Sequence, residues 1–112
     1  MSKDWRAYAL HIMDAIDQIR RIEERGDLTK DSILYDAVLQ NLQTLSGAPQ
    51  NLPADLKEQH PKIPWREISG FRNILVHNYL GDIDPLTVAA VIKTHLVPLK
   101  VSVQAMLDKA AS

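Results

Sequence analysis

The stretch WRAYALHIMDAIDQIRRI, residues 5–22, decides the fold class. Trp5, Tyr8, Ala9, Ile12, Ile16, Ile19 and Ile22 recur at steps of three and four, while Asp14, Asp17, Arg20 and Arg21 fill positions between them. A 3.6-residue period with one apolar stripe marks an amphipathic helix that needs a partner surface. The spacing predicts a helix over about residues 4–25, ended by Gly26-Asp27. His11 falls beside the stripe and reads as a partly buried packing residue, because no second histidine or carboxylate pattern completes a metal set.

The same period recurs down the chain. Thr29 as N-cap and Asp31 in the first turn introduce Ile33, Leu34, Ala37, Val38, Leu42 and Leu45, a second helix that stops near Ser46-Gly47. Prolines at 49, 53, 61 and 64 then forbid long regular structure, leaving a connector with one short helical turn over residues 54–59. Pro64-Trp65 opens a third long helix through Ile68, Phe71, Leu75 and Val76, with Gly81 as its terminator. Asp84-Pro85 reads as N-cap and first residue of a helix through Val88, Val91, Ile92 and Leu96. Pro98 interrupts the pattern before Leu99, Val103, Met106 and Leu107 resume it, so two consecutive helices or one kinked helix is expected. No strand-like alternation, repeat or useful heptad run is present. The expectation is an all-α, antiparallel bundle of four to five helices forming one domain over residues 1–112.

Composition narrows the function classes. With 112 residues and 46% hydrophobic content the chain is long enough for a real core. Cysteine is absent, which removes disulfides, thiolate metal sites and a cysteine nucleophile, and suits a reducing compartment. The charged N-terminal pattern contains neither a signal peptide nor a membrane span, so a soluble, cytoplasmic protein is expected. A net charge of −1 excludes bulk electrostatic coating of nucleic acid, and any phosphate contact must come from a local cluster.

That cluster is Phe71-Arg72-Asn73-Ile74-Leu75-Val76-His77-Asn78-Tyr79, which sets polar side chains among residues that otherwise read as core. Arginine is always charged and histidine titrates near neutrality, so together they handle protons and charge around a phosphate ester without a metal. Arg72 and His77 are five positions apart, about 140° around a helix, and do not share a face. Arg72 aligns instead with Tyr79, and Asn73 with His77. Either the arginine wraps around the helix end, or a second copy of the helix completes the site across a two-fold axis; the second arrangement is favoured. The bland reading pairs Arg72 with Glu67 or Asp82, lets Asn73 and His77 satisfy one another and leaves Tyr79 as a rim residue. Trp65 and Arg66 read as packing and interface residues, and His60 and His95 as surface.

Arg72, four residues, His77, one residue and Tyr79 resemble the Arg-x4-His-x-Tyr signature of HepT-like toxins of the HEPN superfamily of small helical ribonucleases. Ile63-Pro64-Trp65-Arg66-Glu67-Ile68, Ala37-Val38-Leu39-Gln40-Asn41-Leu42 and the Tyr8 to Ile19 stretch are also similar to that family, so the resemblance covers most of the chain. It departs at Ser46-Gly47-Ala48, where many relatives carry Gly-Glu-Ala.

The resemblance implies a metal-independent endoribonuclease, without cofactor, acting on single-stranded or loop RNA between the subunits of a homodimer. It implies His77 as the proton-transfer residue, Arg72 as the phosphate clamp and Asn73 as the residue that orients His77 or the ribose. Tyr79 is similar to a tyrosine adenylylated by a partner antitoxin, the minimal nucleotidyltransferase MntA. The alternative is a non-catalytic helical module that binds nucleotide or docks on such a transferase, and a third option makes this domain the substrate-binding subunit of an aminoglycoside-type nucleotidyltransferase.

Overall fold

The computed structural model describes residues 4–77 and 83–111, and among them every regular element is helical. The order is α1 (Trp5–Arg25), α2 (Ser32–Gly47), a 3-10 turn (Ala48–Asn51), α3 (Ala54–Glu58), α4 (Trp65–His77) and α5 (Pro85–Ala111). This is the expected all-α bundle, with α3 as its one-turn member. Gly81, the expected terminator of α4, lies outside the described residues.

Local chemistry sets the helix ends. Asp4 caps α1, its carboxylate accepting from the Arg6 amide at 3.0 Å and pairing with the Arg6 guanidinium at 2.7 Å. The hydrogen bonds from Arg6 hold that carboxyl below the ordinary carboxylate value. Gly26 ends α1 at φ 155°, a conformation other residues rarely adopt. The start of α2 differs from expectation. Thr29 is not the cap: its amide and hydroxyl both donate to the Asp27 carboxylate, at 2.9 and 2.6 Å, so its oxygen is engaged before the helix begins. Asp31 caps α2 instead, accepting from the Ile33 and Leu34 amides.

The bundle is built around α1. Its Ala9, Ile12, Ala15, Ile16 and Ile19 are buried, with Val38, Leu42 and Leu45 of α2 on one side and Val88, Leu99 and Val103 of α5 in the same core. The short link over residues 26–31 turns α2 back along α1. α5 is one helix, not two, and passes through Pro98. Proline removes the amide that would bond Thr94, but Leu96 and Leu99 on either side are both buried and keep the two halves on one line of packing. By length and composition alone α5 is apolar enough to cross a membrane. Its buried residues nevertheless recur at helical spacing against the rest of the fold, with Lys93 and Lys100 exposed, which is the pattern of a core helix.

α4 packs against α2 and the 3-10 turn. Its entry is pinned to the connector: the Trp65 indole N–H donates to the carbonyls of Lys57 and His60, each at 3.1 Å, and Lys57 Nζ donates to the Pro49 carbonyl at 3.2 Å. Trp65 is therefore a packing residue, Arg66 is exposed, and His60 is half-buried rather than on the surface. The buried Tyr35 hydroxyl of α2 donates to the Ile83 carbonyl just before α5.

Tyr35→Phe removes that donor from a buried carbonyl at constant shape. It is expected to lower unfolding free energy by about 1–3 kcal/mol; an unchanged urea midpoint would show that the bond contributes nothing net.

Candidate functional site

Arg72 is the residue around which a site can be built. It is half-buried on α4 and lies against Gly47 at the end of α2. A Cβ added at Gly47 would come to 3.0 Å from Arg72 Nε and 3.3 Å from its Cδ, so the missing side chain is what lets the arginine rest there. The guanidinium lines a cleft of about 440 Å³ with Tyr8 and His11 from α1, Gln43 and Thr44 from α2, and Gln50 and Asn51 from the 3-10 turn. Among the described residues no aspartate or glutamate lines this cleft. Among the described residues no carboxylate pairs with Arg72, Glu67 included; Asp82, the other expected partner, lies outside them.

His11 departs from the sequence reading. It is exposed and faces this cleft rather than packing, with its ring edge-on to Tyr8 at a centroid distance of 6.2 Å and an interplanar angle of 69°. Its position borders the apolar stripe of α1, and periodicity alone does not reveal that α2 leaves that border uncovered. The Tyr8 to His11 step of three, which places two aromatic rings on one helix edge, was the available signal.

Of the remaining expected site residues, Asn73 is the one whose side chain lies among the described residues. Asn73 is exposed and makes no hydrogen bond among the described residues. His77 is the last residue of α4, and Tyr79 lies outside the described residues. Because α4 is unbroken from Trp65 to His77, positions 72 and 77 are about 140° apart around it. Arg66, Gly70 and Asn73 are exposed and recur at steps of four and three; position 77 is next in that series. A Cβ added at Gly70 would meet nothing within 4 Å. One flank of α4 is thus polar and holds Arg72, and the outward stripe is open. The other flank borders an apolar groove of about 330 Å³ lined by residues including Leu45, Ile68, Phe71, Val91 and Leu99, with the exposed His95 alongside.

The sequence over this same architecture, residues 10–106, matches the family model described as Ribonuclease HepT-like. The chain belongs to the HepT-like ribonuclease family. Among its relatives is a protein of Caldanaerobacter subterraneus provisionally named as an RNase, 36% identical over 80 residues, covering 68% of this chain and 70% of the relative. A Thermococcus cleftensis protein provisionally named ribonuclease HepT is 33% identical over 72% of this chain and 76% of its own length. A Methanocaldococcus jannaschii protein provisionally named as an RNase is 31% identical and covers 93% of this chain and 98% of itself. No solved structure matches the chain. Membership of a ribonuclease family implies RNA as the substrate class.

Gly47→Ala tests the close approach. Alanine suits the helical backbone at this position, at φ −83° and ψ −33°, and should add about 0.5 kcal/mol of stability. Its methyl group forces Arg72 aside, and a small misplacement of a positioning group is expected to lower RNA cleavage by about 10-fold. A more stable variant that cleaves at the wild-type rate would show that Gly47 does not set the position of Arg72.

Proposed function

We propose that this chain is a metal-independent endoribonuclease, the toxin of a toxin–antitoxin pair, with an active site composed across a homodimer. The observation that carries this reading is the placement of Arg72, a cation without a described carboxylate partner in a polar cleft, on an unbroken helix along which position 77 is about 140° away around the axis. RNA carries its own nucleophile. The 2′-hydroxyl attacks the adjacent phosphorus, the bond to the 5′-oxygen breaks, and the products are a 2′,3′-cyclic phosphate and a 5′-hydroxyl. The protein then supplies a base for the 2′-hydroxyl proton, an acid for the leaving oxygen and a cation for the charge on the phosphorane. His77 is the proton-transfer residue and Arg72 the cation; Asn73, one turn before His77, orients it or the ribose. Two copies of the chain supply two histidines, one to take the proton and one to return it.

The outward stripe of α4 supports the homodimer. Gly70 is exposed and open, so a second α4 can approach closely there, bringing position 77 of one copy toward Arg72 of the other. Ile74, 45% exposed on the same helix, adds apolar surface to that contact. Regulation follows from the Arg-x4-His-x-Tyr pattern. A nucleotidyltransferase antitoxin of the MntA kind would transfer AMP from ATP to the Tyr79 hydroxyl with release of pyrophosphate. Tyr79 follows Arg72 by seven residues in the sequence, and an AMP phosphate brought to Arg72 would compete with the substrate phosphate. A cytoplasmic location suits such a pair.

With EDTA present, the wild-type chain should cleave RNA. Arg72→Ala and His77→Ala should each lose about 100- to 10,000-fold in rate without loss of helical circular dichroism. Gly70→Leu, which meets open space within one subunit, should give a folded monomer with similarly low activity; an active monomer would refute the composite site. An absence of wild-type cleavage under any metal condition would leave the chain as a non-catalytic docking module of the transferase. In the regulatory test, transferase and ATP should add AMP to the wild type and not to Tyr79→Phe; equal labelling of both would overturn the assignment.

A further inference from the structure

The Arg72 cleft contains more than a phosphate clamp requires. Beside the guanidinium it holds an aromatic pair, Tyr8 and His11, and amide side chains, chiefly Gln43, Gln50 and Asn51. Those three amides make no hydrogen bond to any described residue, so their donors and acceptors are turned to solvent rather than used to hold the fold. A phosphate calls for cations and donors alone. Groups that both donate and accept, set beside aromatic rings, match the edge and face of a nucleobase. The cleft volume of about 440 Å³ lies within the range of small-ligand sites and has room for one nucleotide.

The described lining of the cleft comes from one chain, and it shares Arg72 with the composite site. Every residue named here comes from α1, α2, the 3-10 turn and α4 of one chain, whereas the composite site draws on position 77 from the outward stripe. Among the described residues no carboxylate lines the cleft, which leaves the cation to hold the phosphate attached to a base there.

We propose that the cleft formed by Tyr8, His11, Gln43, Gln50, Asn51 and Arg72 is a nucleotide subsite for single-stranded RNA. It stacks the base flanking the cleaved phosphate on the aromatic pair and reads its edge through the amides. This deepens the ribonuclease reading and rests on it for the word "cleaved". The subsite makes affinity depend on the base at one position of the substrate. Gln43 sits exposed on α2, so its replacement leaves the core untouched.

The probe is a fluorescent hexanucleotide with 2′-O-methyl riboses, which lacks the attacking hydroxyl, alongside a set in which each base in turn is removed. For the wild type, one abasic position should weaken binding by roughly 10-fold, the scale of losing a single stacked base. In Tyr8→Ala and in Gln43→Ala the intact probe should bind more weakly, and removing that same base should cost little further, since its partner is already gone. Affinity indifferent to every abasic position, or an abasic penalty undiminished in both variants, overturns the subsite. Cleavage of the matching ribose oligonucleotide separates the two ideas. Base-dependent binding without cleavage keeps the subsite as a nucleotide-binding site and sinks the nuclease, and cleavage with base-independent binding does the reverse.

Discussion

The arrangement depends on α4 being packed from one side. Leu75 is buried, Ile68 and Phe71 are half-buried, and the packing partners are α2 and the 3-10 turn, while α5 completes its own burial against α1. A helix held this way keeps most of its circumference for other purposes. One border of the contact places Arg72 over Gly47, the outward stripe leaves Gly70 and Asn73 open, and the opposite border leaves an apolar groove toward α5. Additional packing on α4 would stabilise the monomer at the expense of each of these surfaces.

The electrostatics follow from the same geometry. The chain is nearly neutral overall, so Arg72 gains significance from isolation and not from accumulation of charge. A glycine in place of any longer residue at position 47 keeps the approach open, and among the described residues no acidic side chain faces the cleft. The guanidinium is half-buried, which raises its worth to an incoming phosphate relative to a fully solvated arginine.

Much of the fold was legible because its helices carry strong local signals. The three- and four-residue steps of α1, the Asp84-Pro85 start of α5 and the proline-rich connector are each written in adjacent residues. Thr29 misled because two acids flank it, and a hydroxyl that donates to Asp27 is not available to cap α2. Pro98 was ambiguous since sequence shows the missing amide but not the two buried leucines that hold the helix through it. The family and the angular separation of positions 72 and 77 were readable from the motif. For His11 the sequence offered the shared edge with Tyr8 but not its exposure, which depends on where α2 ends relative to α1, a relation between helices rather than a pattern within one.

The double hydrogen bond from the Trp65 indole fixes the N-terminal end of α4 to the connector. From there to position 77 the helix extends about 18 Å, so a tilt of about 10° about Trp65 carries its far end by about 3 Å. That end is a lever whose pivot lies in the monomer core. Whatever docks along its length therefore acts through leverage, and a small adjustment near Trp65 becomes a larger displacement at the far end.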